Sequence, residues 1–311
     1  MIKHERCTYD TLKDNSLAPK KKFGQNFLVH RGTAEAIVRA GNIKNTDTIV
    51  EVGVGLGALT IPLAAAARHV YGYEIDSGIV KFHKKERDLP ANVTLIHRDI
   101  LKVDFNEIAE KCGNMLKIIA NLPYSISNLF IIKLIDNAPL IDSATIMLQK
   151  EVADRLTAPP GSKVYGVPTV LLNSCAAVTR KMTLKPSEFH PRPKVDSEVI
   201  TINFHHTLKK SPLGDIGEYN FSLFRRIVRT TFNQRRKTIL NTLSGAALFF
   251  DSVNRDKAAN KLYTKKAILS ADLQPTDRPE TLSTSDFIRL TRSLEKSITA
   301  PTPHHEKSRA A

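Results

Sequence analysis

Residues 48–60 read TIVEVGVGLGALT, and this stretch decides the fold. Thr48 to Val52 is apolar and β-branched apart from Glu51, as in a strand buried on both faces, and Gly53 and Gly55 end it in a tight turn. From Ala58 the chain becomes rich in Ala and Leu, which favour helix. A buried strand passing through glycines into a helix opens a doubly wound α/β unit. Outward from it, strand-like runs recur at residues 69–75 (HVYGYEI), 92–97 (NVTLIH), 115–120 (MLKIIA) and 143–150 (SATIMLQK), with helical stretches between them. That alternation predicts a parallel sheet. Residues 170–184 (VLLNSCAAVTRKMTL) and 195–204 (VDSEVITINF) are expected to pair as an antiparallel addition at its edge.

Around residues 206–218 the composition turns to Lys, Ser, Pro and Gly, which reads as a linker and closes a domain spanning residues 20–205. Beyond it, Phe221, Phe224, Val228, Phe232, Ile239 and Leu243 recur at helical spacing. Further helices are expected near residues 257–269 and 284–297, the second with Ser283 and Asp286 as its cap. Residues 219–298 therefore read as a small all-α domain, flanked by an N-terminal arm (residues 1–19) and a polar tail (residues 299–311) expected to be flexible.

Charge narrows the partners. Lys and Arg number 46 against 31 Asp and Glu, a net +15, of which +9 falls from His206 onward. Such an excess favours polyanions. Arg68, His69 and Lys81 interrupt the Ala-rich stretch after Leu59, and no apolar run approaches the ~20 residues of a membrane span. Glu5, Asp10 and Asp14 argue against a secretory signal. Cys7, Cys112 and Cys175 are odd in number and lack metal spacing, which fits reduced thiols in the cytoplasm and no disulfide framework. The 10 histidines are scattered, so no metal is expected.

The first chemical signal is the glycine turn. Glycines after a strand let a ligand approach the backbone and the positive end of the next helix, and Gly53-x-Gly55-x-x-Ala58 meets the relaxed dinucleotide pattern. Glu74 lies 21 residues beyond Gly53, close to the ~20 at which an acid reaches ribose hydroxyls. Asp99, after the next strand, is placed to accept from an adenine amino group. Glu51, near the end of a buried strand, is expected to organise the turn or orient the amino group of a methionine moiety, and not to act as a base. These features suit a nicotinamide dinucleotide or S-adenosylmethionine equally, since both carry adenosine.

A second site separates the two. Ala120-Asn121-Leu122-Pro123-Tyr124 follows the fourth strand run. Pro123 biases Leu122 to an extended conformation, so that the Leu122 carbonyl can leave the ladder, and the Asn121 side-chain oxygen is a second acceptor. Two acceptors and the Tyr124 ring suit a planar base bearing an amino group. Acceptors gripping the amine hydrogens localise its lone pair towards a methyl donor. The methylated nitrogen is acidic enough for water to take its proton, so no dedicated base is required. Nothing in the sequence offers a hydride-acceptor site.

Seven blocks in order, KKFGQNFL (residues 21–28), EVGVGLGALT (51–60), YEID (73–76), NLPY (121–124), LQKEVADRL (148–156), FHPRPKVDS (189–197) and FNQRRKTILN (232–241), make the chain resemble the small-subunit ribosomal RNA adenine dimethyltransferase family. The resemblance covers Lys20 to Ser297. It implies a Rossmann-like class I methyltransferase sheet and S-adenosylmethionine-dependent N6,N6-dimethylation of adenosines in small-subunit rRNA, by a monomer. It further implies that Gln25, Asn26, Leu28, Gly53, Gly55, Glu74, Asp99 and Asn121 contact the cofactor. Asn121, Leu122, Pro123 and Tyr124 would then serve the target base, with Phe189 stacked opposite Tyr124. Lys20, Lys21, Lys22, Arg235, Arg236 and Lys237 would track RNA phosphates. Read from the residues alone, Phe189 is a core aromatic and the three lysines a solvated run. Val54 departs from the family, whose members commonly carry Pro there. Two alternatives stay open: a large-subunit rRNA adenine methylase of the macrolide-resistance type, and a non-enzymatic RNA-binding assembly or transcription factor on the same scaffold.

Overall fold

The computed structural model describes residues 19, 24–113, 115–205, 218–246 and 257–299. Lys20, Lys21 and Lys22 lie outside the described residues, as do the arm apart from Pro19, the linker apart from Glu218 and the tail apart from Thr299. The chain divides into two compact units, residues 1–158 with 175–212, and residues 159–174 with 213–311.

The first unit is built on a seven-stranded sheet. Its strands, numbered in chain order, are β1 (Thr48–Val52), β2 (His69–Glu74), β3 (Val93–His97), β4 (Leu116–Asn121), β5 (Ile141–Gln149), β6 (Ala176–Leu184) and β7 (Ser197–Phe204). Their spatial order is β3-β2-β1-β4-β5-β7-β6. The first five are parallel and β7 runs antiparallel between β5 and β6, so the parallel sheet with an antiparallel edge is present. All five residues of β1 are buried, which explains a strand that is apolar without alternation. The unit's helices are α1 (Arg31–Ala40), α2 (Thr60–Ala66), α3 (Ser77–Glu86), α4 (Phe105–Cys112), α5 (Ser127–Asp136) and α6 (Lys150–Leu156). Asp76 caps α3 through the Gly78 N–H, and Asp104 caps α4 through the Asn106 N–H. A separate two-residue antiparallel ladder joins Phe27–Leu28 to Phe189–His190.

The second unit contains α7 (Val167–Asn173), α8 (Phe221–Phe232), α9 (Ile239–Ser244), α10 (Lys257–Ser270) and α11 (Thr284–Thr299). Three expectations need correction. Residues 170–173 form the end of a helix instead of extending the edge strand, and residues 159–174 group with the helical unit, although they lie within the stretch assigned to the first domain. The apolar run Val170-Leu171-Leu172 is buried on a helix whose first turn carries Pro168, and periodicity alone does not separate such a run from a buried strand. The apolar stripe after residue 219 is also two helices and not one, broken between Phe232 and Ile239. The expected cap at Ser283 is present: its N–H and Oγ both meet the Asp286 carboxylate, and the Asp286 N–H donates back to Ser283 Oγ.

Candidate active site

The strand order reverses at β1, which leads to β2 on one side and pairs with β4 on the other, and ligands of open α/β sheets gather at the carboxyl ends beside such a switch point. A cleft with a cavity volume of about 160 Å3 opens there. Gly53 and Gly55 line it from the end of β1, Glu74 and Ile75 from β2, Asp99 from β3, and Asn121, Leu122 and Pro123 from β4, with Gln25, Asn26 and Phe27 crossing from the N-terminal segment. Four strand ends and one distant loop thus converge.

The glycines are required by the turn. Gly53 and Gly55 have φ of +83° and +54°; a Cβ on Gly53 would stand 2.9 Å from the Asn121 carbonyl oxygen, and one on Gly55 would stand 3.2 Å from the Phe27 ring. Val54 is buried without disturbing this path, because Gly72 on the neighbouring strand leaves room: a Cβ there would come within 2.6 Å of the Val54 side chain.

Glu74 is buried, and burial pushes its carboxyl above the ordinary value despite backbone hydrogen bonds. Gly55 N–H donates to Oε2 at 3.0 Å and Asp76 N–H to Oε1 at 2.8 Å. Gln25 Nε2 in turn donates to Asp76 at 3.1 Å, tying the N-terminal segment to this corner. One Asp99 oxygen caps the short 3-10 turn after β3 through the Leu101 N–H. Beneath the turn, Glu51 is fully buried; Thr60 Oγ1 donates to its Oε1 at 3.0 Å, while Oε2 has no partner among the described residues. Desolvation pushes its carboxyl up to about 8, the Thr60 bond opposing and the Glu74 charge adding to the rise. Glu51 therefore joins strand to helix across the glycine turn from beneath, and it does not line the cleft.

At the other wall, Asn121 Nδ2 donates to the Asn26 carbonyl at 3.3 Å, and Oδ1 is left as the acceptor. The ladder to β5 ends at Asn121 and Met147, one residue before Leu122, as the Pro123 argument requires. Tyr124 does not line the cleft. Its hydroxyl shares a 2.7 Å hydrogen bond with the buried Ser197 Oγ, which anchors the far end of the ring. Phe189 does not line it either: at 3% exposure it packs in a core cluster that includes Leu28, Leu184 and Val199. Leu28 lines only a smaller adjoining cleft, beside Gly53, Gly55 and Asn121. Sequence reading missed Phe27, Ile75 and Arg98. Ile75 is 41% exposed, and an apolar side chain left open directly after Glu74, within the YEID block, is the signal that identifies it.

In the helical unit the basic triplet divides. Arg235 donates to the carbonyls of Lys163 and Tyr165, both at 3.0 Å, and its guanidinium lies 5.8 Å from the centre of the Phe232 ring. Its two terminal nitrogens are engaged in holding residues 163–165, whereas Arg236 and Lys237 are exposed. Among the described residues no group of His, Cys, Asp and Glu is assembled to hold a metal.

The ribosomal RNA adenine dimethylase family model matches residues 17–272. The ribosomal RNA small subunit methyltransferase A of Desulfotalea psychrophila is 59% identical over 291 residues, 94% of this chain and 96% of its own. That of Syntrophus aciditrophicus is 41% identical over 236 residues, 76% and 82% of the two chains. Among solved structures, a dimethyladenosine transferase from Plasmodium falciparum superposes with a TM-score of 0.72 at 28% identity, over 87% of this chain and 98% of its own. The 23S rRNA methyltransferase ErmE shares the fold, with a TM-score of 0.63 at 21% identity over 87% and 100%. With the family model covering most of the chain and relatives 59% and 41% identical along it, this protein belongs to the ribosomal RNA adenine dimethylase family.

Proposed function

We propose that the protein dimethylates the N6 amine of adenosines in small-subunit rRNA, using S-adenosylmethionine, as a monomer in the cytoplasm. The observation that carries the reading is the convergence of the glycine turn, Glu74 and Asn121 on one cleft at the sheet's switch point. The residues fit the cofactor. The side-chain-free turn admits it closely, Phe27, Ile75 and Ile79 offer apolar surface to an adenine ring, and Glu74 and Asp99 offer acceptors to its hydroxyl and amino groups. Bound there, S-adenosylmethionine supplies an electrophilic methyl group on a cationic sulfur. The chain's own part is to grip the amine through Asn121 Oδ1 and the Leu122 carbonyl, and to steady the base against Tyr124, whose hydroxyl Ser197 holds. Phe189 would join the base only by leaving its core position.

Three outcomes follow in binding and stability experiments. Glu74→Ala weakens S-adenosylmethionine binding by about 10- to 100-fold in calorimetry, the loss of charge-assisted hydrogen bonds worth ~1.5–3 kcal/mol. Unchanged affinity in a folded variant removes Glu74 from the ribose. Charge reversal at Arg236 and Lys237 lowers affinity for small subunits and flattens its dependence on salt, leaving cofactor affinity unchanged. Arg235→Ala instead destabilises the helical unit by ~1–3 kcal/mol, because it strips two carbonyls of their donor. An unchanged salt slope means that Arg236 and Lys237 only decorate the surface.

The substrate assignment is tested by offering under-methylated small and large subunits separately. Transfer to the small subunit alone supports the reading. Transfer to the large subunit favours the methylase alternative, and cofactor binding without transfer to either favours an assembly factor.

A further inference from the structure

His83 lies outside the cleft and outside every block that marks the family. It sits on α3 among exposed lysines, yet is only 3% exposed itself. Its Nε2 is 2.8 Å from the Gly55 carbonyl oxygen and its Nδ1 is 2.7 Å from an Asp88 carboxylate oxygen. A carbonyl oxygen only accepts, so Nε2 must carry a hydrogen and donate it. On the other side of the ring the Asp88 carboxylate sits against Nδ1, the arrangement by which an acid fixes the orientation of an imidazole.

The carbonyl so held belongs to the residue whose N–H Glu74 holds. Both peptide groups flanking Gly55 are therefore fixed by side chains, one from α3 and one from the end of β2. This matters because Gly55 lies in the left-handed region and carries no side chain of its own to pack the turn. Peptide planarity extends the effect by one atom group: with the Gly55 carbonyl drawn towards α3, the following N–H, that of Leu56, points away from it. Among the described residues that N–H has no acceptor, and Leu56 lines the small cleft shared with Gly53 and Asn121. A backbone donor so placed can hydrogen-bond a ligand seated in that cleft.

We propose that His83 is a positioning residue for the cofactor site, clamping the Gly55 carbonyl so that the glycine turn and Glu74 meet S-adenosylmethionine in one fixed arrangement. The inference rests on the S-adenosylmethionine reading above. Without the clamp the turn must be ordered when the ligand binds, so the defect falls on affinity more than on the chemical step.

The test compares wild type, His83→Leu and His83→Gln by calorimetry with S-adenosylmethionine and by steady-state methyl transfer. His83→Leu should raise Kd and KM for S-adenosylmethionine about tenfold, with kcat changed less than about threefold. His83→Gln, whose amide can donate to the same carbonyl, should recover Kd to within about threefold of wild type. A folded His83→Leu with wild-type affinity, or a folded His83→Gln as weak as the leucine variant, overturns the inference. Should His83→Leu fail to fold, 15N spectra of the wild-type ring decide: a hydrogen on Nε2 is expected, and a bare Nε2 overturns the clamp. Wild type that binds no S-adenosylmethionine overturns the cofactor reading and the clamp together, whereas a binding wild type with indifferent variants overturns the clamp alone.

Discussion

Asn121→Ala should lower the single-turnover rate of each methyl transfer by about 10²–10³-fold while affinity for the small subunit stays near wild type. The amine's lone pair is delocalised into the adenine ring, and acceptors on its hydrogens draw that pair out towards the methyl donor. Asn121 is set for this by its own hydrogen bond: with Nδ2 committed to the Asn26 carbonyl, only Oδ1 remains to accept. The interaction strengthens as the nitrogen becomes cationic, so it acts mainly in the transition state. Removing one such positioned partner costs ~2.7–4 kcal/mol in the analogous oxyanion sites. The two transfers should respond unequally, since after the first only one N–H remains and the base must rotate. Asn121→Asp is the sharper probe, keeping size and an acceptor while adding a negative charge that favours a bound cation in the ground state. Rates that survive while subunit affinity collapses would make Asn121 a binding residue.

The second large effect is on stability. Burial raises the Glu51 carboxyl to about 8 from an ordinary 4.5, because it is fully desolvated and only the Thr60 hydroxyl, among the described residues, donates to it. Between those values the folded protein keeps a proton that the unfolded chain has lost, so stability falls as pH rises. The contribution is fully present below about 4.5 and is lost by about 8, at ~1.4 kcal/mol per pH unit within that window. Glu51→Gln imitates the neutral acid, keeps an oxygen for Thr60 and cannot titrate. In urea denaturation the variant should therefore gain on wild type steadily from pH 5 to pH 8, reaching a difference of several kcal/mol. Parallel stability curves would mean that Glu51 ionises freely and that the turn is built differently.

What the sequence made legible follows from local physics. Gly53 and Gly55 stand where only a positive φ continues the chain, and Glu74, Asp99 and Asn121 stand at the ends of apolar runs, so strand ends alone brought them to one cleft. Less legible were features that depend on distant partners. Phe189 faces Leu28 across a two-residue ladder whose strands lie far apart in the sequence, and no local pattern distinguishes a core ring from one awaiting a base. Arg235 reads like its neighbours Arg236 and Lys237, yet two carbonyls 70 residues or more away claim its donors. His83 was hidden for the same reason, its partner Gly55 being a backbone carbonyl with no sequence signature. The helical unit takes in residues 159–174 because Arg235 and the Tyr165 hydroxyl, bonded to the Leu282 carbonyl, hold them there.

Whether this cleft dimethylates an adenine amine of small-subunit RNA is read directly by nucleoside analysis. Under-methylated small subunits are incubated with the protein and S-adenosylmethionine labelled in its methyl group, and the RNA is digested to nucleosides. Label recovered in N6,N6-dimethyladenosine, and lost with Asn121→Ala, is the expected result; label absent from adenosine, or carried only by nucleosides methylated elsewhere than N6, would contradict the account.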